Sequence, residues 1–321
     1  MKKGCICLFC TMLVMGLALN AVAESYSGKK ILYIDSYHQG YAWSDGITAG
    51  VRAALDGTGV TLKIIYMDTK RNKDEAFKKQ AAQEAKKVIQ SFQPDVVIAA
   101  DDNASKYLIV PYYKGTDLPF VFCGVNWDAS EYGFPCKNVT GMIEVSPVPQ
   151  LLEQLRKISP GKKVGYLAAD VLTARKEGTQ YKKVFGIDLV ERYVSSYSQW
   201  ENQFKEIQKS VDLLIVGNVA GIENWNKEKA QDYAEAHTTI PTGTIYDFLA
   251  PYSLVAYAKV AKEQGYWAGK TALKILGGAS PENIPVSKNT EGELIINARV
   301  AESISGDIPY DLIESASKII E

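Results

Sequence analysis

The sequence predicts an α/β protein of two Rossmann-like lobes, each with a parallel sheet, joined by a hinge. Three observations point there. The runs Val96-Val97-Ile98-Ala99-Ala100 and Pro119-Phe120-Val121-Phe122-Cys123 are continuously apolar, as suits strands buried on both faces of a parallel sheet. Such runs alternate with amphipathic helical stretches, stop near 144–146, and then begin again, which is the pattern of repeated strand–helix units. A chain of 321 residues also exceeds one ordinary core and fits two domains. Both apolar runs break abruptly into polar residues, Asp101-Asp102-Asn103 and Gly124-Val125-Asn126. In open parallel sheets ligands sit beyond the carboxyl ends of the strands. The same residue types also cap the next helix, so both roles stay open.

Taken in order, residues 1–23 read as a processing signal. Lys2-Lys3 lead an apolar stretch, Ile6 to Leu19, too short to span a bilayer, and Ala21-Val22-Ala23 has the form of a cleavage site. Cys10 follows Phe9 too early to be a lipid-anchor cysteine. A soluble, extracytoplasmic (periplasmic) mature chain from Glu24 is therefore expected. The first strand, Lys30 to Asp35, ends in Ser36-Tyr37-His38-Gln39-Gly40-Tyr41-Ala42-Trp43, rich in aromatic and hydrogen-bonding groups. Ser44 is placed to cap the helix carrying Ile47, Val51 and Leu55 on one face. A second strand, Thr61 to Tyr66, ends at Met67-Asp68-Thr69; Asn72 and Glu75 have the spacing of a capping box before a long helix with Phe77, Ala81, Ala85, Val88, Ile89 and Phe92 on one stripe.

Asn138 to Pro149 interrupts the rhythm with turn formers. The alternation restarts with strands at Val164 to Ala168, Leu189 to Val194, Asp212 to Val216 and Pro241 to Ile245, and helices at Thr173 to Phe185, Gln199 to Gln208 and Lys227 to Ala236. The run Ser253 to Ala258 is expected to cross back, followed by a helix from Tyr266 to Leu276 that Gly277-Gly278 stops. Glu293 to Ile296 is a last strand and Pro309 onward a terminal helix. The expected division is 24–145 with 256–286 in the first lobe, and 146–255 with 287–321 in the second.

Composition narrows the function. A formal net charge of -1 offers no electrostatic footprint for nucleic acid or an anionic membrane. The sequence has no Gly-x-Ser-x-Gly elbow, phosphate loop or His-Glu-x-x-His pair, and its two histidines are His38 and His237. Enzymatic activity, cofactors and metal sites are not expected. Asp101-Asp102 is an acid pair on paper, but adjacent side chains rarely face one atom. Cys7 and Cys10 fall in the segment to be removed, leaving Cys123 and Cys136; a disulfide closing the loop between them and a buried free Cys123 are both open.

A cleft between two such lobes collects polar strand ends from both sides. The candidates in the first lobe are Ser36, Tyr37, His38, Asp68, Asp102, Asn103, Asn126 and Trp127; those in the second are Asp170, Asn218, Tyr246 and Asp247. They offer hydroxyls, amides and carboxylates to a small polar ligand, and rings to cover its apolar part. A carboxylate among them can neutralise a ligand ammonium, which points to an amino acid or another amine. Hinge closure would bury the ligand.

Four stretches resemble the substrate-binding components of bacterial ABC importers. They are Asn138-Val139-Thr140-Gly141, Gly265-Tyr266-Trp267-Ala268-Gly269-Lys270, the Leu276-Gly277-Gly278 turn running to Glu282-Asn283-Ile284-Pro285-Val286, and Glu293-Leu294-Ile295-Ile296-Asn297. The resemblance implies a type I periplasmic binding protein fold and an ABC permease partner; members similar to carriers of tryptophan and related amino acids imply such a ligand. Ser36 to Asp45, Ala100-Asp101-Asp102-Asn103-Ala104 and Val121 to Asn126 are also similar to extracytoplasmic sensor domains of histidine kinases. The alternative they imply is a ligand-sensing subunit acting on a separate membrane kinase.

Overall fold

In the computed structural model, which describes residues 26–72, 74–304 and 308–321, the first four apolar runs become neighbours in one sheet. They are β1 (Lys30–Asp35), β2 (Thr61–Tyr66), β3 (Val96–Ala100) and β4 (Phe120–Asn126), linked by α1 (Ala42–Leu55), α2 (Glu75–Phe92) and α3 (Asp101–Ala104), the last running into a π-helix at Ser105–Tyr113. With β5 (Val139–Glu144) and the later β11 (Ser287–Lys288), they form a six-stranded parallel sheet in the order β11-β5-β4-β3-β1-β2. Strands β1, β3 and β4 are almost wholly buried, which explains why they read as unbroken apolar runs.

The second sheet is built by α4 (Val148–Ile158), β6 (Val164–Ala169), α5 (Leu172–Phe185), β7 (Leu189–Val194), α6 (Tyr197–Gln208), β8 (Leu213–Val216), α7 (Lys227–His237), β9 (Thr242–Thr244), β10 (Val255–Lys259), β12 (Gly292–Asn297) and β13 (Lys318–Ile320). Its order is β13-β12-β10-β9-β8-β6-β7, with β12 antiparallel to β10 and the other pairs parallel. Two short helices, α9 (Ala298–Ala301) and α10 (Tyr310–Glu314), join β12 to β13. Among the described helices none is long and apolar enough to cross a membrane.

Several local expectations need correction. The run after Ser253 does not cross back; it is β10, paired to β9 and β12 in the second sheet. The crossing falls at Val260, where α8 (Ala261–Leu276) begins, and β11 remains in the first sheet before the chain returns through 289–291. Thus the boundary at 256 lies inside a strand of the second lobe, and that at 286 precedes the last strand of the first. The terminal segment is only briefly helical and ends as β13, since β12 offers it an open edge. Ser44 is not a cap: it lies inside α1 and donates to Asp35 Oδ1 at 2.8 Å. The cap of α2 is Asp74, which accepts from Ala76 and Phe77 N–H, not Asn72. The processing segment, with Cys7 and Cys10, lies outside the described residues. Cys123 and Cys136 are free thiols, the first buried.

Helices α1 and α8, distant in sequence, cross over one face of the first sheet at glycines. A Cβ on Gly265 would stand 2.9 Å from Val51 N and closer still to Ile47 O, and one on Gly50 would stand 2.6 Å from Tyr266 N. The two backbones meet with no room for a side chain. This anchors the returning segment beneath β3 and β4, where Ala268 and Ala272 pack with Ile98 and Val121. Gly265→Ala is expected to lower stability by about 1–3 kcal/mol through overpacking, read from the urea-unfolding midpoint; an unchanged midpoint would mean that the helices separate at no cost.

Candidate functional site

At the carboxyl end of β1 a buried carboxylate organises the first lobe. Asp35 accepts from Tyr33 hydroxyl at 2.7 Å, Tyr37 N–H at 2.7 Å and Ser44 hydroxyl at 2.8 Å. Burial nevertheless raises its pKa above the ordinary value, the three donors opposing that shift. These bonds fix the loop between β1 and α1, so that Tyr37, Tyr41 and Trp43 line the interlobe cavity. Tyr37 meets Tyr41 edge-on at 5.5 Å, and Lys70 Nζ lies 4.9 Å from both ring centres. One strand over, Asp101 follows β3 with φ +67° and is 1% exposed; its Oδ1 accepts from the Trp43 indole N–H at 3.1 Å.

The opposite wall comes from the second lobe. After β9, Tyr246, Asp247 and Phe248 line the same cavity, with Lys259 from the end of β10. Lys259 forms an ion pair with Glu144 at the end of β5, so the pair joins one lobe to the other. Its Nζ also lies 5.5 Å from the Trp43 ring centre. Behind the wall, the Tyr246 hydroxyl donates to Glu177 on α5, and Tyr166 donates to the same carboxylate at 3.2 Å. Burial raises the Glu177 pKa, and the tyrosine hydroxyls partly offset it.

The cavity has a volume of about 600 Å³, ample for a metabolite. A second cavity, of about 660 Å³, lies on the far side of Asn126 and Tyr246, against α5. Of the residues singled out from sequence, Tyr37, Asn126, Tyr246 and Asp247 line the first cavity, while Trp127 and Asn218 line the second with Asn126 and Tyr246.

The remaining candidates line neither cavity and are engaged locally. Ser36 donates to Ala100 O at 2.5 Å and accepts from Ala104 N–H at 2.8 Å. Asn103 donates to Thr69 hydroxyl at 2.8 Å. Asp68 is held by Arg71 at 2.7 Å and 2.8 Å, and Asp170 by Arg175 at 2.7 Å, which lowers both carboxyl pKa values. His38 Nδ1 lies 2.9 Å from Gln39 O. Asp102 accepts from Asn126 amide at 2.6 Å and Tyr132 hydroxyl at 2.9 Å, so it aims a lining residue without lining the cavity. Trp127, with φ +62°, reaches into the second lobe and packs 6.1 Å from Tyr181 and 6.0 Å from Phe185.

Tyr41, Trp43, Lys70, Glu144, Phe248 and Lys259 also line the first cavity and were not among the residues expected there. A signal existed for two of them: Tyr41 and Trp43 stand in the loop after β1 whose aromatic richness was noted. For Glu144 and Lys259 none existed, since only the crossing of the chain brings residues 115 positions apart into contact.

Comparison with known proteins places this geometry. The family model described as ABC transporter substrate binding protein matches residues 41–320. A curated relative, a tyrosine-binding protein of Clostridioides difficile, is 25% identical over 210 residues, covering 58% of this chain. The match spans only 56% of that relative's own length. Among solved structures, a ligand-free, open substrate-binding protein with adhesive properties from Clostridium difficile superposes with a TM-score of 0.69 at 19% identity, over 91% of this chain and 99% of that one. An ABC domain in complex with L-Trp from Streptococcus pneumoniae gives 0.57 at 18% identity, over 92% and 100%. A periplasmic ribose ABC transporter protein from Conexibacter woesei gives 0.55 at 15%, over 87% and 95%. At these identities the structures establish a shared fold, that of type I periplasmic binding proteins.

The raised pKa of Glu177 has a sign that can be measured. A carboxyl whose folded-state pKa exceeds its unfolded value near 4.5 contributes stability that is full below that value and is lost as pH climbs through the folded pKa. Glu177→Gln lacks this loss, so the melting temperature of the variant relative to wild type is expected to rise with pH above about 4.5 and then level off. A difference constant from about pH 4 to about pH 8 would mean that ionisation of Glu177 carries no cost in the fold.

Proposed function

The chain belongs to the ABC transporter substrate-binding protein family, and from that premise we propose that it captures an amino acid, preferably aromatic, between its lobes and presents it to a membrane permease. The observation that carries this reading is the make-up of the interlobe cavity. Rings of Tyr37, Tyr41, Trp43, Tyr246 and Phe248 share it with charges of both signs, Glu144 and Asp247 against Lys70 and Lys259. A zwitterion needs both signs within one site, and an aromatic side chain needs apolar faces. Phe248 is 57% exposed, an apolar ring facing solvent at the edge of the cavity, which a bound side chain would cover. The tyrosine-binding relative and the L-Trp complex are in keeping with it.

The family consists of binding proteins rather than enzymes, and the work assigned to the fold is capture and release. Closing the lobes over a ligand would change how Glu144, Lys259 and Trp127 meet across the crevice, giving a permease a distinct closed form to recognise. The expected place of action is outside the cytoplasmic membrane, in line with the processing signal read in residues 1–23.

The test is thermal unfolding of protein refolded free of ligand, against amino acids, nucleosides and sugars. A ligand at about a hundred times its Kd adds about 2.7 kcal/mol of stability. Amino acids are expected to raise the midpoint, tyrosine and tryptophan most; stabilisation by sugars or nucleosides alone would sink the proposal. Phe248→Ala is expected to weaken tyrosine and tryptophan several-fold, up to about tenfold, and to leave aliphatic amino acids unaffected in the same titrations.

A further inference from the structure

We propose that Asp101 is the acceptor for the ligand's ammonium group, and hence the residue that makes the cavity select primary amines over the corresponding deaminated acids. The inference rests on the interlobe cavity being the ligand site and assigns the group that decides what it retains.

Three features converge on this carboxylate. The first is its backbone. Asp101 adopts φ +67° at the step from β3 into α3, a left-handed conformation that is strained for an L-residue. The second is the room made for it. β4 breaks register between Phe122 and Val125, and Gly124 there has φ +69°. A Cβ on Gly124 would lie 2.9 Å from Asp101 Oδ1. The irregular strand is held in place by Gln264, a buried residue of α8 that accepts from Gly124 N–H at 2.9 Å. The third is an unfilled bond. Oδ1 accepts from Trp43, whereas Oδ2 is buried with no partner among the described residues, although Asp101 lines the cavity. A buried acceptor left without a donor is destabilising, and one residue carrying all these costs beside a ligand cavity is placed for a ligand.

The surroundings specify the donor. Burial, with Asp35 from β1, Glu144 from β5 and Asp102 from α3 close by, holds the Asp101 carboxyl well above the usual carboxylate range, and the cation Lys259 is engaged with Glu144. Incoming positive charge is favoured there.

The experiment is calorimetric titration of wild type and Asp101→Asn with L-tyrosine, L-tryptophan, tyramine, tryptamine, 3-(4-hydroxyphenyl)propionate and indole-3-propionate. Asparagine tolerates the left-handed conformation and keeps an acceptor for Trp43, but turns a second donor toward the ammonium. Wild type is expected to bind amino acids at least a hundredfold more tightly than their deaminated acids, as sites built to bond an N–H do. Asp101→Asn is expected to lose about a hundredfold for every amine and nothing for the deaminated acids. Equal binding of deaminated acids by wild type, or undiminished amine binding by Asp101→Asn, overturns the proposal; the second result would make the buried carboxyl a neutral donor. Equal binding of the deaminated acids by wild type overturns the proposal even where the variant fails to fold. Should no amino acid bind, the proposed function fails by itself. Tyramine and tryptamine then judge Asp101: binding that Asp101→Asn abolishes sustains its role, and no binding removes it.

Discussion

The chain passes between its two sheets at three places, after β5, after β10 and after β11, and the rest of the molecule depends on how those passages are held. A segment leaving a sheet loses its ladder partners, and its buried N–H and C=O groups need others. Val145, in the first passage, finds both in Asn289 of the third: its N–H donates to Asn289 Oδ1 at 2.7 Å and its carbonyl accepts from Asn289 amide at 3.1 Å. Asn289 is 2% exposed. Glu263, just after the second passage, accepts from the N–H groups of Thr290 and Glu291 at 2.8 Å and 3.0 Å. The three passages thus form one bonded bundle between the lobes.

The bundle also decides where charge gathers. Glu144 and Lys259 stand at the last residues of strands that run into the first two passages, so the crossing itself brings an acid of one lobe to a base of the other. From there the cavity wall continues through Trp43 to Asp101 on one side and through Tyr246 to Glu177 on the other. Carboxylates thus stand behind both walls. Asp35 aims the aromatic loop and Glu177 steadies Tyr246; each has its pKa raised by burial and keeps its place through hydroxyl donors. The polar core of each lobe is organised toward the space between them.

Much of the architecture is visible in the chain because parallel strands buried on both faces leave runs such as Val96 to Ala100 that no other element explains. Helix starts are less legible. Ser44 has the chemistry of a cap, yet a buried Asp35 nine residues earlier competes for its hydroxyl and wins; Asp74 beats Asn72 because its carboxylate reaches two N–H groups at once. Of the polar strand ends expected in the crevice, Tyr37, Asn126, Tyr246 and Asp247 line the first cavity. Which of them face it was not legible, since Ser36, Asn103 and Asp102 have equally good partners inside their own lobe.

By itself the sequence determined two α/β lobes, their parallel sheets, and the loops after β1, β3, β4 and β9 as the polar rim between them, because burial pattern and strand–helix alternation are local properties of the chain. Only tertiary structure decided that Lys259 meets Glu144, that Trp127 enters the opposite lobe, and that Asp101 is the carboxylate left with an open oxygen. Each of these depends on partners brought together by the passages at Val145, Val260 and Asn289. A hydrogen bond or ion pair made across such distances in sequence leaves no periodicity for the sequence to show.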